Sequence, residues 1–295
     1  MIRPIGLTIL FLAAIQSAQS PLYSLREMDM HLHAGLECDI GLSEWVDMNA
    51  SDGRKVMVLL DHLELYRRKA AGRYPMGPAG HKALMAAFDA EAARRKDLVL
   101  FKGWEILETE LDTGLETAPM TMAEVLGWHI SWSLPDAPNG QLLIKRVKQL
   151  KELHKQFPVP MIVFHPFAAR IRKLQDSAKE QGRDPKSITL AEYRFFQPGE
   201  QQELARILKD SSIYIEISSS NASFIHDPVC REALIADVKP LADAGVQFTV
   251  STDHHVSKSA DKPFHPEAYC APLGVTPENT NGIVQELLAI RRHKG

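Results

Sequence analysis

Short apolar runs alternate with amphipathic segments along most of the chain. Several runs are nearly continuous in apolar residues, which is typical of strands that are buried on both faces of a parallel sheet. Seven strands are predicted, at residues 26–33, 56–61, 98–105, 125–131, 161–165, 213–218 and 246–252. No internal repeat or low-complexity linker interrupts this order, so residues 21–295 are expected to form a single domain.

Segments with apolar residues at helical spacing separate the predicted strands. Ser43 can cap a helix that ends near Asp52, and Pro158 closes a helix predicted at 142–157. Further helices are predicted at 79–96, 191–208, 229–244 and 277–292. Alternating strands and helices indicate the α/β class, with a parallel sheet and right-handed crossovers. Seven such units favour a (β/α) barrel over an open sheet, with its chemistry at the C-terminal ends of the strands.

The stretch between residues 170 and 197 is long for a simple connection, and it carries several Arg and Lys residues before a Pro198-Gly199 break. One interpretation is a lid or rim insertion over the mouth of the barrel. The other is a solvated surface helix.

Residues 1–20 differ from the rest of the chain. Arg3 precedes an apolar core, and small residues follow it before Pro21. This pattern predicts a secretory signal peptide and hence an exported protein, periplasmic or secreted. A buried N-terminal helix is the alternative. The apolar core is too short to cross a membrane, and no other segment is apolar enough to do so.

Charge and cysteine content narrow the function classes. The formal net charge is −3 and no basic block is present, so nothing indicates a surface for nucleic acid. The three cysteines, Cys38, Cys230 and Cys270, are widely spaced and odd in number, which does not describe a disulfide scaffold. One pair could bridge after export, and the absence of a Cys-x-x-Cys motif argues against a thiolate zinc site.

Histidines and carboxylates end six of the seven predicted strands. His31 and His33 end the first strand two residues apart, a spacing that puts both imidazoles on one face. The later ends carry Asp61-His62, Glu105, His129, His165 and Asp253-His254-His255, whereas the sixth offers Ser218 to Asn221. A single strand-end histidine is more often structural than a ligand. Six such ends at one edge of a barrel predict a multi-metal centre.

The ordered motifs resemble those of the PHP (polymerase and histidinol phosphatase) family. The motifs are His-x-His, Asp-His, Lys-Gly-Trp-Glu-Ile, Gly-x-His, His-Pro and Asp-x-His, and they extend from Asp29 to His255 with a closing helix. The resemblance implies a distorted (β/α)7 barrel of the TIM type. It also implies two or three divalent metal ions, Zn, Mn or Fe, and phosphoesterase chemistry on a small, phosphorylated substrate.

Carried over position by position, the resemblance implies a set of metal ligands. These are His31, His33, His62, Glu105, His129, His165, Asp253 and His255. It implies one more ligand just past the first pair, where Asp39 fits the offset and Glu37 is the rival. Asp61 is expected beside the ligands rather than among them. The chain departs from the family pattern around Gly35-Leu36-Glu37, at Leu60, and at His254.

The implied chemistry needs no protein nucleophile. Water held by two or three divalent cations is deprotonated near neutral pH and attacks phosphorus. Asp253 is expected to take a proton from this water, and His255, His254 or a rim residue to protonate the leaving group. Arg170 and Arg172 are expected to bind a substrate phosphate or carboxylate, with surface charges as the alternative.

Other polar and aromatic residues carry weaker expectations. Asn221 resembles a strand-end Asn of the family and is expected to line the pocket, while His254 contacts substrate or is exposed. His226 and His265 can reach the mouth. The remaining histidines, His81, His154 and His293, are expected at the surface, and Trp45, Trp104, Trp128 and Trp132 in core and rim packing.

Two rival functions remain open at this point. An amidohydrolase-type enzyme would share the His-x-His start and the terminal Asp, but it uses a metal-bridging Lys on the fourth strand, and residues 125–131 contain none. Cleavage of a C–N or C–O bond by such a site is still compatible with the sequence. A catalytically silent metal-binding module is the third hypothesis.

Overall fold

Seven parallel strands form the centre of the molecule. A computed structural model describes residues 22–68, 74–130, 136–260 and 264–294, so the predicted signal peptide and Trp132 lie outside the described residues. The strands are β1 (Met28–His33), β2 (Val56–Leu60), β3 (Val99–Leu107), β4 (Val125–His129), β5 (Met161–Phe164), β6 (Ile213–Ser218) and β7 (Phe248–Ser251). They pair in chain order, each parallel to the next.

Backbone hydrogen bonds join the first strand to the residues that follow the last one. The amide of Asp253 donates to the carbonyl of His31 at 3.0 Å, and the amide of His33 donates to the carbonyl of His254 at 3.1 Å. This seam between β1 and the end of β7 nearly closes the sheet into a barrel. The predicted (β/α)7 TIM-like barrel of the α/β class is confirmed.

Helices surround the barrel. They are α1 (Leu42–Ser51), α2 (Leu65–Arg68), α3 (Pro78–Arg94), α4 (Glu110–Thr113), α5 (Thr117–Met120), α6 (Gly140–His154), α7 (Pro166–Glu180), α8 (Leu190–Tyr193), α9 (Glu200–Leu208), α10 (Ser220–Ile225), α11 (Pro228–Asp243), α12 (Ser257–Ala260), α13 (Pro266–Cys270) and α14 (Gly282–Lys294). None of the helices in the described ranges combines the length and apolar character needed to span a membrane.

Most predicted elements are confirmed to within a few residues, and the differences have local causes. The helix predicted at 191–208 is two helices, α8 and α9, because Pro198 and Gly199 separate them and Gly199 has φ +88°. Helix α6 begins two residues earlier than predicted. Its N-cap is Asn139, whose side chain accepts the amide of Leu142 at 3.0 Å.

Helices α7 and α8 occupy parts of residues 170–197, where a lid or a surface helix was predicted. The first part of this stretch, residues 170–180, lies in α7, a helix that buries Phe167, Ala168 and Ile171 and contacts β6 and α10. It therefore belongs to the helical layer around the barrel. Arg170 and Arg172 lie on the partly exposed side of this amphipathic helix, whereas Arg183 and Arg194 lie beyond its end.

The strands are almost wholly buried, as the continuous apolar runs predicted. Trp45, Trp104 and Trp128 are fully buried in the core. The expectation that His81 lies at the surface is wrong, because its side chain is buried and its ring is 5.2 Å from that of Trp104. Cys38, Cys230 and Cys270 are all buried, and none of them forms a disulfide.

Candidate metal centre

The polar strand ends converge at one mouth of the barrel. His31 and His33 lie at the end of β1. Both are fully buried, and their imidazoles lie on the same face of the strand, as the spacing predicted. Their Nε2 atoms lie 3.0 Å apart. Two nitrogen donors this close, with no apolar atom between them, form the core of a ligand cluster that the neighbouring strands complete.

Glu105 on β3 is the hub of this cluster. Its Oε2 atom lies 3.1 Å from His31 Nε2 and 2.9 Å from His33 Nε2. The same oxygen is 3.4 Å from His62 Nε2. Its Oε1 atom lies 2.7 Å from His129 Nδ1 and 3.7 Å from His165 Nε2. One carboxylate therefore reaches histidines from the ends of β1, β2, β4 and β5.

Five triads of ligand atoms can each hold a metal ion, with all three atoms within 4.8 Å of one another. The triads are His31–His165–Glu216, His31–His33–Asp253, His33–Glu37–His255, His33–His62–Glu105 and Glu105–His129–His165. The third and fifth of them share no residue, so they are two separate sets of potential ligands. Sequence reasoning placed all of these residues at the site except Glu216.

Glu216 is the ligand-type residue that the sequence analysis missed. It is fully buried on β6, where its Oε1 atom lies 2.8 Å from His31 Nδ1. Its Oε2 atom accepts the backbone amide of His165 at 2.7 Å. The signal was present, since Glu216 is the one charged residue in the run Ile213–Ser218. It lies inside the strand rather than at its end, where the search was made.

Of the two rival residues, Glu37 and Asp39, only Glu37 lies among the histidines. Its Oε2 atom lies 3.2 Å from His33 Nδ1 and 3.1 Å from His255 Nδ1. Asp39, in contrast, is exposed and belongs to none of the triads. Its carboxylate accepts the amide and the hydroxyl of Ser257, at 2.7 and 2.8 Å. The expected ligand role of Asp39 is corrected to that of a cap on the loop after β7.

Asp61 stands beside the ligands, as expected. Its Oδ2 atom accepts the hydroxyl of Tyr66 at 2.9 Å and also the backbone amide of Leu36. A Cβ atom on Gly35 would lie 2.0 Å from Asp61 Oδ2, so only glycine lets the chain pass this carboxylate. Residues 35–37 thus contain a turn that brings Glu37 to the site.

Two of the candidate ligands have a left-handed backbone. His165 has φ +34° and Asp253 has φ +57°, a region that residues with a Cβ atom seldom adopt. Buried hydrogen bonds hold the turn at Asp253, since Asp29 accepts the amide and hydroxyl of Thr252 at 3.0 and 2.6 Å. Arg54, itself buried, lies 3.1 Å from the same carboxylate. Such strain is maintained when the surroundings fix it, and it concentrates at functional sites.

The cluster concentrates negative charge away from solvent. Burial alone would raise the pKa of Glu105, but the nearby His62, His31 and His129 outweigh it and hold that pKa well below its usual range. Burial would lower the pKa of His31, but Glu105, Glu216 and Asp253 raise it to about 10. The carboxylates therefore require positive charge between them, which protonated imidazoles or metal cations can supply.

The donor set fits divalent cations. Each triad consists of imidazole nitrogens and carboxylate oxygens, and none contains a thiolate. This composition suits Zn, Mn and Fe. The shared carboxylate and the raised histidine pKa values fit a centre in which cations take the place of protons.

The residues expected to bind substrate occupy different environments. Arg170 is engaged by the fold, because its guanidinium donates to the carbonyls of Pro138, Glu192 and Tyr193, at 2.9, 2.7 and 3.0 Å. Its expected substrate role is therefore corrected to a structural one. Arg172 is exposed on α7.

Asn221 lies on α10, and His254 lies in the segment that follows β7. Asn221 is fully buried, and neither atom of its amide has a hydrogen-bond partner among the described residues. His254 is only 9% exposed and borders a cavity beside Asp253, where His226 and His265 also lie. The expectation that these two histidines can reach the mouth agrees with this placement.

The described fold is similar to that of a solved phosphatase. A crystal structure of histidinol phosphate phosphatase from Lactococcus lactis subsp. lactis, in complex with zinc, L-histidinol and phosphate, matches with a TM-score of 0.51 at 15% sequence identity. The match covers 85% of this chain and 95% of that chain. At this identity the likeness establishes the barrel fold.

Two further solved structures match more weakly. An aldo/keto reductase from Brucella melitensis has a TM-score of 0.32 at 10% identity, over 86% of this chain and 97% of that one. Phospho-2-dehydro-3-deoxyheptonate aldolase from Thermotoga maritima has a TM-score of 0.28 at 15% identity, over 90% and 69%. These likenesses are too weak to support an argument. No protein-family model and no curated protein sequence matches the chain.

Proposed function

We propose that this protein is a metal-dependent phosphoesterase that uses two or three divalent cations. The observation that carries the proposal is the set of overlapping triads around Glu105, two of which share no residue. The similar fold of a phosphatase solved with zinc and phosphate supports the same chemistry. The described strand β4 contains no Lys, which disfavours the amidohydrolase alternative.

Two cations have clear sets of ligands. His33, Glu37 and His255 would hold one of them, and Glu105, His129 and His165 would hold the other. When bound, the cations would activate a water molecule as the nucleophile and neutralise the phosphoryl oxygens. Iron, manganese and zinc all suit this donor set, so the metal bound in the cell depends on supply.

Asp253 is suited to accept a proton from the attacking water. Burial would raise the pKa of its carboxyl, but His31, His255 and His33 outweigh burial and hold it well below the usual range, so the group is ionised at neutral pH. His255 Nε2 lies 3.1 Å from Asp253 Oδ1. The pair can therefore hold a proton between these two atoms.

Substitution of a shared ligand tests the proposal. His33 belongs to three of the five triads, so His33→Ala should lower both the metal content and the hydrolysis of 4-nitrophenyl phosphate, while the barrel still folds. The exposed His293 gives a matched control, and His293→Ala should retain both. Metal per chain is measured by elemental mass spectrometry on protein purified without chelator, and folding by circular dichroism.

The outcome of this experiment is decisive in both directions. Two to three equivalents of Zn, Mn or Fe in the wild-type protein, lost together with activity in His33→Ala, support the phosphoesterase. One equivalent or none, unrestored by added metal, would leave a silent module as the better description. Full activity in His33→Ala would remove the ligand assignment itself.

A further inference from the structure

A cavity of about 490 Å³ lies next to the candidate metal centre. It is formed by α10 and the residues at its two ends, by the residues that follow β7, and by α13 with the residues just before it. Asp253 borders this cavity and also belongs to the triad with His31 and His33. The volume lies within the range of small-molecule sites. A molecule whose phosphate binds at the candidate metal centre can therefore extend into this cavity.

Two residues that line the cavity each carry a buried polar atom without a partner among the described residues. Tyr269 is 2% exposed, and its hydroxyl has no hydrogen-bond partner among the described residues. The same holds for Nδ1 of His254, whose side chain is 9% exposed. A buried polar atom without a partner is costly, so a ligand that supplies the missing hydrogen bonds would be favoured at these residues.

The rest of the wall combines apolar surface and hydroxyl groups with the imidazoles of His226 and His265. Ile225, Phe264 and Ala268 supply apolar surface, and Ser219 supplies a hydroxyl. The wall contains no Lys and no Arg among the described residues, and its one carboxylate is Asp253. Among the described residues, an anionic substituent placed here would have no Lys or Arg of the wall to pair with, and burial of an unpaired charge is strongly unfavourable.

We propose that this cavity binds the leaving group of a phosphate ester, and that this group is an uncharged alcohol with an aromatic or apolar body and a hydrogen-bonding substituent. The inference rests on the proposed function, because the alcohol reaches the cavity only when the phosphate of the ester binds at the candidate metal centre. It adds the substrate class, which neither the ligand triads nor the similar phosphatase supply.

A pair of esters of nearly equal shape tests the charge preference. The substrates are 4-carbamoylphenyl phosphate and 4-carboxyphenyl phosphate, which differ by one charge, with phenyl phosphate as the reference that lacks the substituent. The zinc- or manganese-loaded protein should have a kcat/KM about tenfold higher for the amide than for the carboxylate, a difference that corresponds to loss of one good polar interaction. The amide should also exceed phenyl phosphate.

Two variants test whether the cavity causes the preference. Tyr269→Phe keeps the ring and removes the unpaired hydroxyl, so it should lower the ratio of kcat/KM for the amide over phenyl phosphate. Ala268→Trp should fill the cavity from an exposed position on α13 and lower kcat/KM for both aryl esters. Ala93→Trp, the same substitution at an exposed position of α3, is the matched control and should behave as wild type.

A binding measurement separates the cavity from turnover. The free alcohol 4-hydroxybenzamide should raise the Tm of the wild-type protein and of Ala93→Trp, but not that of Ala268→Trp. Equal kcat/KM for amide and carboxylate, with no effect of Ala268→Trp, would overturn the leaving-group cavity while the phosphoesterase stands. Absence of hydrolysis of every ester by metal-loaded protein would overturn the proposed function, and the inference with it.

Discussion

Glu37 and Asp39 stand two residues apart in the chain, but only Glu37 contacts the histidines of the centre. Glu37→Gln should therefore lower the metal content by about one equivalent per chain, because the amide is a poorer ligand. Asp39→Asn keeps a hydrogen-bonding cap on Ser257 and should retain the wild-type content. Elemental mass spectrometry of both variants checks this. Equal loss in the two variants would restore Asp39 as a ligand.

Protonation of the histidines makes metal binding depend on pH. The pKa of His31 is raised to about 10 and that of His62 to about 9, in each case because carboxylates outweigh burial. At pH 7 both imidazoles of the metal-free protein carry protons that a bound cation must displace. Zinc binding at pH 7 should therefore release protons and strengthen as the pH rises toward 9.

Calorimetry in two buffers of different ionisation enthalpy measures the number of protons released, and no dependence on the buffer would contradict the prediction.

The same pKa shifts predict how the stability of the metal-free protein changes with pH. The folded-state pKa values of His31 and His62 lie above the unfolded value of about 6.5. The stability that they contribute is complete below about pH 6.5 and is lost as the pH rises through about 9 to 10.

Individual residues differ in how far the sequence can predict their roles. His31 and His33 are predictable because their two-residue spacing on a strand fixes a common face. The choice between Glu37 and Asp39 is not, because it depends on the turn that Gly35 makes around Asp61. Arg170 is of a residue type that often binds anionic substrates. The backbone carbonyls that accept from its guanidinium, however, are distant from it in the chain.

At the scale of the elements, β4 and β5 are packed so closely that one methyl group matters. A Cβ atom on Gly127 would lie 1.7 Å from the ring of Phe164, and that ring stacks on His31 with centroids 3.7 Å apart. Gly127→Ala should reduce the free energy of unfolding by about 1–3 kcal/mol, the cost of overpacking. It should also weaken zinc binding, because Phe164 must move against a ligand.

Gly41→Ala is the matched control for this substitution. Gly41 has φ −66° and no atom within 4 Å of an added Cβ. It should therefore change the free energy of unfolding and the zinc affinity little. Denaturant unfolding and zinc titration of the two variants give the comparison. A Gly127→Ala protein with wild-type zinc affinity would show that Phe164 does not transmit the strain to His31.

The strands are the elements that the sequence predicts best, because burial on both faces leaves continuous apolar runs. The helical layer is less predictable. The stretch after β5 has the charge content of a lid, yet the apolar stripe of α7 packs against β6. Its location depends on contacts between segments that are far apart in sequence, which local patterns do not record.

For the whole molecule, the metal centre should contribute to stability. Cations that bind the folded state alone stabilise it by mass action, by about 2.7 kcal/mol for one site when the free cation is at 100 times its Kd. Removal of metal by a chelator should therefore lower the Tm, and added zinc or manganese should restore it. A Tm that is indifferent to both treatments would argue against metal binding at these residues.

The seam between the first and last strands also governs when the centre can form during protein synthesis. Asp29 and Thr252, whose side chains are hydrogen-bonded across it, are separated by 223 positions. A ribosome makes the chain from its N-terminus, so His31 and His33 emerge long before Asp253 and His255. The contacts of β1 across the seam can therefore form only when nearly the whole polypeptide has been made. The complete set of candidate metal ligands is then assembled after translation and not during it.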